Sequence, residues 1–157
     1  MKQKKPLPVI GWREWLSLPD LGIRAIKAKI DTGARSSAIH AFDIKSRSVR
    51  GRTKLRFKVH PYQHNSHETW ECEAYVIDKR QIRNSGGSTE LRYVILTTVQ
   101  FDEYQCPIEL TLTNRDVMGF RMLLGRQALR GRFLIDPRRS FLLSHELKET
   151  LKIKGKK

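Results

Sequence analysis

The chain has 157 residues, of which 39% are hydrophobic, so it is long enough for one domain with a core and is not a wholly disordered chain. A net charge of +15 favours acidic partners such as nucleic acid, an anionic membrane or an acidic protein. Pro6 and Pro8 interrupt the basic first residues with no apolar segment behind them, and two cysteines are too few for a disulfide framework. We therefore expect a cytoplasmic protein with no signal peptide, no membrane span and reduced thiols.

Alternating apolar residues predict strands from the start of the chain. Residues 9–18 and 23–30 are typical of two strands, and Pro-Asp-Leu-Gly at 19–22 is typical of the turn of a hairpin. Further strands are predicted at 53–60, 70–77, 94–99 and 108–113. Asn-Ser-Gly-Gly-Ser at 84–88 predicts a turn between a strand that ends near Asp78 and one that begins near Leu91.

The last third of the chain contains the predicted helices. The apolar run 120–124 breaks at Gly125 into a short helix, 126–130, and Ser144 is a candidate cap for a helix over 146–152. Many short strands separated by turns predict a mainly all-β barrel or sandwich. We expect a single domain over 1–157, with its core at about 8–145 and a basic tail at each end.

A carboxylate follows the second apolar strand directly, in the sequence Asp31-Thr32-Gly33-Ala34. A carboxylate next to a buried strand is costly unless neighbouring groups donate hydrogen bonds to it. The Thr32 hydroxyl and the backbone N–H groups of Gly33 and Ala34 can do so. These few residues fit a catalytic carboxylate, and they also fit an ordinary Asx turn.

A second motif favours catalysis. The segment FRMLLGRQAL at 120–129 contains an apolar-apolar-Gly-Arg sequence, and together with the D-T-G-A loop it resembles the two signatures of retropepsin-type aspartic proteases. Gln127 stands where Asn or Asp is more usual in that class. The resemblance implies a closed β-barrel of short strands. It also implies catalytic residues Asp31, Thr32 and Gly33, with active-site support from Ala34, Leu123, Leu124, Gly125 and Arg126.

From GWREWLSLPDLGI to GRFLIDP, the sequence is also similar to a bacterial and archaeal family labelled "ATP-dependent zinc protease". Members of that family are regarded as retropepsin-like and are associated with ATP-grasp glutamate ligases. The residues favour the retropepsin interpretation, because a catalytic zinc needs about three side-chain ligands and the chain has no H-E-x-x-H motif. The nearest candidate cluster is His60, His64, His67 and Cys72. We interpret these histidines as surface residues, with metal binding left as an alternative.

No phosphate-binding G-x-x-x-x-G-K-[ST] motif is present, so we expect no bound ATP and no other cofactor. Any role of ATP would then belong to a partner ligase.

Aspartic proteolysis needs two carboxylates, whereas the chain has one D-T-G motif. The run Leu134-Ile135-Asp136-Pro137 offers another carboxyl but lacks the glycine. We therefore predict a homodimer with Asp31 of each copy at the two-fold axis, and the resemblance implies that Thr32 links the two loops there. The hairpin 78–93, with Ser85, Gly86 and Gly87 at its tip, is the candidate flap over the substrate. A hairpin with no lid role fits the sequence equally well.

The predicted activity is hydrolysis of peptide bonds by an aspartic endopeptidase, on a peptide or protein substrate that the basic surface favours as acidic or glutamate-rich. One alternative is a hydrolase with the same dyad that trims glutamate chains or glutamate-tagged proteins. Another is a non-catalytic basic β-domain that binds nucleic acid or an acidic protein. For the enzyme, neither nucleic acid nor a membrane is expected as a partner.

Overall fold

The computed structural model describes residues 6–60, 68–84, 86–115 and 119–143, and within them it contains eleven β-strands and one α-helix. The elements in chain order are β1 (Val9–Gly11), β2 (Arg13–Leu18), β3 (Ile23–Ile30), β4 (Ser37–His40), β5 (Phe42–Val49), β6 (Arg52–Val59), β7 (Trp70–Arg83), β8 (Thr89–Phe101), β9 (Tyr104–Thr113), β10 (Met122–Leu124), α1 (Arg126–Leu129) and β11 (Leu134–Asp136). The predicted helix over 146–152 and its cap Ser144 lie outside the described residues. In the described part of the chain, no helix has the length and apolarity needed to cross a membrane.

Six strands close into a barrel, in the order β2, β3, β10, β4, β9, β8, and β8 pairs back to β2 through Ser17 and Gln100. The pairs β3–β10 and β4–β9 are parallel, and the neighbouring pairs are antiparallel. From β8 the sheet continues outward through β7, β6 and β5. The predicted all-β fold, a closed barrel of strands with one short helix after Gly125, is confirmed.

The core follows from the period of two that the sequence shows. Leu55, Phe57 and Val59 on β6 are completely buried, while the residues between them carry their charges outward. The predicted hairpin over 9–30 is also confirmed for β2 and β3, which are joined by a 3-10 turn at Pro19–Leu21 that ends at Gly22 with a φ of 72°.

The prediction of one continuous strand over 9–18 was wrong. The chain breaks at Trp12, so that β1 pairs in parallel with β11 and only β2 joins the barrel. At this corner the buried carboxylate of Glu14 accepts hydrogen bonds from the backbone N–H groups of Gly11 (2.7 Å), Leu142 (2.7 Å) and Leu143 (3.2 Å). A buried carboxylate is stable there because backbone donors surround it.

The hairpin formed by β7 and β8 is longer than predicted. The strands stay paired from Asp78 opposite Val94 to Arg83 opposite Thr89. We call residues 78–84 and 86–94 the hairpin arm. At its turn the Asn84 side chain donates to the hydroxyl of Ser88 (2.8 Å) and accepts from the Gly86 N–H (3.0 Å).

Candidate active site

Asp31 lies directly after β3 and lines a cleft of about 900 Å³. Its backbone N–H donates to the carbonyl of Leu124 (2.9 Å), and its Oδ1 accepts from the N–H of Gly33 (2.9 Å). Among the residues that the structure describes, no group donates to Oδ2. One carboxylate oxygen is therefore fixed by the turn, and the other remains available to a water or a substrate in the cleft.

Gly125 brings β10 and the Asp31 loop into direct backbone contact. Its N–H donates to the hydroxyl of Ser37 (3.0 Å). A Cβ atom at this position would lie 2.5 Å from the carbonyl oxygen of Ser36 and 2.9 Å from that of Ala34. Because both neighbours are backbone atoms, only glycine permits this approach.

Arg126 and Gln127 hold the loop from the same side. The Arg126 N–H donates to the carbonyl of Ala34 (2.6 Å), and the Gln127 N–H donates to that of Arg35 (3.1 Å). The Arg126 guanidinium donates to the carbonyl of Thr32 (2.9 Å). At Gln127 the loop contact is made by the backbone, so this bond does not need the more usual Asn or Asp.

The structure thus brings the two sequence motifs together, in different positions relative to the cleft. The predicted site residues that line the cleft are Asp31, Gly33, Ala34 and Leu123. Thr32 is exposed at the loop, and buried Leu124 and Gly125 support the loop from below. β10 runs parallel to β3 with Leu124 opposite Ile30, which places the apolar pair directly beside the strand that presents Asp31.

The hairpin arm forms one wall of the cleft through residues 80–84. The predicted flap tip does not line the cleft in the described part of the chain. Gly86 and Gly87 are not among the lining residues, and Ser85 lies outside the described residues. Arg80 ties the arm to β9, donating to both carboxylate oxygens of Glu109 at 2.6 and 3.3 Å. These hydrogen bonds hold the pKa of Glu109 below its ordinary value.

Among the described residues, five arginines line the cleft, and sequence reasoning identified none of them as site residues. Two are neutralised by partners. Arg80 is bound to Glu109, and Arg92, only 8% exposed, contacts Glu90 at 3.2 Å and the hydroxyl of Thr111 at 3.3 Å.

The other three cleft arginines are Arg35, Arg83 and Arg115, and all three are exposed. Within the described ranges, none of their guanidinium groups has a hydrogen-bond or ion-pair partner. Within the described part of the chain, the residues that line the cleft around Asp31 therefore carry more positive than negative charge.

The single chain provides no suitable second carboxylate for a dyad among its described residues. Glu109 is the one other carboxylate that lines the cleft in the described part of the chain, and both of its oxygens already accept hydrogen bonds from Arg80. Asp136 lies in β11, outside the cleft lining. There the backbone and side chain of Arg138 donate to it and hold its pKa low.

The candidate metal cluster is only partly described, because His64 and His67 lie outside the described residues. Nδ1 of His60 is 3.0 Å from the carbonyl of Glu68, and its ring stacks on Phe42 with centroids 4.5 Å apart. Cys72 is 2% exposed, and burial raises the pKa of its thiol to about 11. In the described ranges, no three or more His, Cys, Asp or Glu residues are grouped so as to hold a metal ion.

Residues 9–146 match the profile of the RimB-like family, which is described as retropepsin-like aspartic endopeptidase RimB. Two similar curated proteins, both named probable alpha-L-glutamate ligase, come from Shewanella halifaxensis (46% identity, 88% of this chain and 30% of the relative) and Desulfotalea psychrophila (46%, 96% and 32%). The chain therefore spans about a third of the length of these relatives. A similar solved structure is Lpg0085 of Legionella pneumophila, a DUF785 protein of unknown function. Its TM-score is 0.72 at 28% identity, over 87% of this chain and 98% of that one.

Proposed function

The chain belongs to the RimB-like family, and on that premise we propose that it is an aspartic endopeptidase whose catalytic dyad consists of Asp31 from two copies. The observation that best supports this proposal is the set of hydrogen bonds around the Asp31 carboxylate. One oxygen is bound to Gly33, the other is available in the cleft, and the loop accepts hydrogen bonds from the backbone and the side chain of Arg126. Such fixed geometry is what a positioned acid or base requires.

Two carboxylates at the axis divide the chemistry. At about 3 Å separation and an effective dielectric of about 20, two negative charges repel by roughly 5 kcal/mol, so only one is ionised at working pH. The ionised carboxylate takes a proton from a water, which attacks the peptide carbonyl carbon. The protonated carboxyl polarises the carbonyl oxygen and protonates it, which gives a tetrahedral diol. The first carboxyl then gives the proton that it took from water to the amide nitrogen, the C–N bond breaks, and the second carboxylate takes a proton from the diol, so the dyad returns to its starting state with no covalent enzyme intermediate.

We take the second carboxylate from another copy of the chain, because both oxygens of Glu109 are occupied by Arg80 and Asp136 lies outside the cleft lining. Exposure of Thr32 supports this assembly. No partner for its hydroxyl occurs among the described residues, while its carbonyl is bound to Arg126. Two such loops facing each other across a two-fold axis would satisfy each other's hydroxyl groups.

The hairpin arm is the proposed flap. Its first strand already forms a wall of the cleft, and the bond between Arg80 and Glu109 fixes its base. The tip at Gly86 and Gly87 is then free to lie over a bound peptide.

For the substrate we favour a peptide with acidic residues, because three arginines that line the cleft have no side-chain partner in the described ranges. A second candidate function, trimming of glutamate chains by the same dyad, is favoured by the relatives that are named glutamate ligases. A ligase that adds glutamate produces the kind of acidic tail that such a cleft would accept. A non-catalytic binding domain remains the alternative outcome of the test.

The test is hydrolysis of acidic peptides by the wild type and by the Asp31→Asn variant, followed by mass spectrometry. We expect the variant to lose at least about a hundredfold in kcat/KM, the scale of general acid–base catalysis. Asp102→Asn is the matched control, because Asp102 is exposed, lies outside the cleft and has a φ of 49°, which Asn tolerates. Full activity of Asp31→Asn would refute the proposal, and loss of wild-type activity in chelator would favour a metal-dependent reaction instead.

A further inference from the structure

Three arginines of the cleft have no side-chain partner among the residues that the structure describes, and they come from three separate parts of the fold. Arg35 lies on the loop that carries Asp31, Arg83 is the last residue of β7 in the hairpin arm, and Arg115 follows β9. We propose that these three arginines are specificity-determining residues that bind substrate carboxylates on both sides of the scissile bond. The inference rests on the proposed aspartic endopeptidase and on its dimer.

The three arginines differ from Arg80 and Arg92 in having donors available for a ligand. Arg80 already donates to Glu109, and Arg92 already donates to Glu90 and to a threonine hydroxyl, so both guanidinium groups are engaged within the protein. The three unpaired guanidinium groups instead face a concave space, where low-dielectric walls strengthen a charge–charge interaction. The planar donor fork of arginine matches the two oxygens of a carboxylate.

The excess charge also makes a neutral peptide a poor ligand. Without bound anions, like charges surround the cleft and are relieved only by solvent and salt. A substrate with several carboxylates replaces those counterions and neutralises the arginines directly. The positive charge in the cleft therefore favours the binding of substrates with acidic side chains over neutral ones, in addition to attracting them from a distance.

Two-fold symmetry then sets where those carboxylates lie. A dimer with both Asp31 side chains at the axis repeats Arg35, Arg83 and Arg115 in the second half of the cleft. Since the scissile bond lies at the axis, the residues before it and after it meet the same set of arginines. The enzyme should therefore cut within an acidic run and respond similarly to carboxylates on either side. An enzyme that removes a terminal residue would respond to one side only.

The experiment uses four peptides of equal length, with Glu on both sides of the cleaved bond, on the amino side only, on the carboxyl side only, or replaced throughout by Gln. For the wild type we expect each acidic side to raise kcat/KM by about fivefold, with the two one-sided peptides within about twofold of each other. Arg35→Gln, Arg83→Gln and Arg115→Gln should each reduce the acidic-to-neutral ratio of the two-sided peptide by about threefold, so that the three together remove most of its preference of about 25-fold. The control is Arg24→Gln, which removes one charge from an exposed residue on β3 outside the cleft and should leave that ratio unchanged.

Binding separates this inference from the proposed function. The dissociation constants of the same peptides are measured by fluorescence anisotropy on Asp31→Asn protein, with and without the three arginine substitutions. Tighter binding of the acidic peptides that is lost in the arginine variants supports the three arginines as carboxylate ligands, and it does so even if the wild type cleaves nothing. In that case the peptidase proposal fails, and the assignment to the two sides of a scissile bond fails with it. Equal binding of Glu and Gln peptides, or an effect of one side alone, would overturn the inference even if cleavage is normal.

Discussion

The contact between Gly125 and the Asp31 loop allows the cost of a single methyl group to be worked out. In Gly125→Ala the new Cβ would lie 2.5 Å from the carbonyl oxygen of Ser36 and 2.9 Å from that of Ala34. Relaxed contacts between carbon and a carbonyl oxygen begin at about 3.3 Å, so the loop must move by about 0.8 Å. Neither neighbour is a flexible side chain, and the movement must therefore come from the backbone.

The displacement acts on two hydrogen bonds that hold the loop. The bond from Arg126 to Ala34 is 2.6 Å long and that from Gln127 to Arg35 is 3.1 Å. Overpacking costs about 1–3 kcal/mol, and a weakened backbone hydrogen bond costs about 1 kcal/mol. We therefore expect Gly125→Ala to lower the free energy of unfolding by about 2–4 kcal/mol and to reduce peptidase activity through the displaced Asp31.

The assay is urea unfolding followed by tryptophan fluorescence, with hydrolysis of an acidic peptide measured on the same protein. Gly86→Ala is the matched control for stability, because the nearest atom to its new Cβ would be 3.4 Å away and its φ is not positive. That control should change the free energy of unfolding by less than about 0.5 kcal/mol. If Gly125→Ala had the same free energy of unfolding as the control, the conclusion that only glycine fits between the two motifs would be wrong.

Two further predictions concern the dimer and the hairpin arm. Thr32→Ala should raise the dissociation constant of the dimer by about tenfold or more, because it removes a hydroxyl from each loop. Sedimentation equilibrium measures this constant, with Thr53→Ala at another exposed threonine as the control. Equal dissociation constants for the two variants would contradict the prediction. The hydrogen bonds from Arg80 lower the pKa of Glu109 from 4.5, so their stabilisation is present above pH 4.5 and is lost as the pH falls through the lower folded-state value. Glu109→Gln should thus lower the free energy of unfolding at neutral pH by at most about 1 kcal/mol, because the Arg80–Glu109 pair is half-exposed. Urea unfolding of the variant and the wild type at neutral and at strongly acidic pH checks this. A stability difference that persists in strong acid would contradict the role of the Arg80–Glu109 pair.

The parts of the fold that could be predicted are those in which one face of a strand is buried. Alternation identified β2, β3, β6 and β9 because their apolar residues point to one core. β5 was missed because it lies at the outer edge of the sheet, with mostly exposed polar residues and no alternation. β1 was merged with β2 into one predicted strand and β11 was missed, because each has three residues and forms by pairing with a partner distant in sequence.

The candidate site was predictable where its chemistry is local. Asp31 and Gly125 each belong to a short motif that can be recognised in sequence, and the fold brings the two motifs into contact. The cleft arginines carry no such signal, because Arg35, Arg83 and Arg115 are far apart in sequence and converge only when the barrel and the hairpin arm form. The single domain, the cytoplasmic location and the homodimer stay predictions.

The most direct test of the shared dyad is a mixing experiment. Wild-type and Asp31→Asn chains are unfolded together, refolded at equal amounts so that copies assort at random, and assayed at the total concentration used for wild type alone. If each cleavage centre needs Asp31 from both copies, activity should fall to about one quarter of the wild-type value, because only one pairing in about four retains both carboxylates. A fall to about one half would mean that each chain works alone, and would contradict the account.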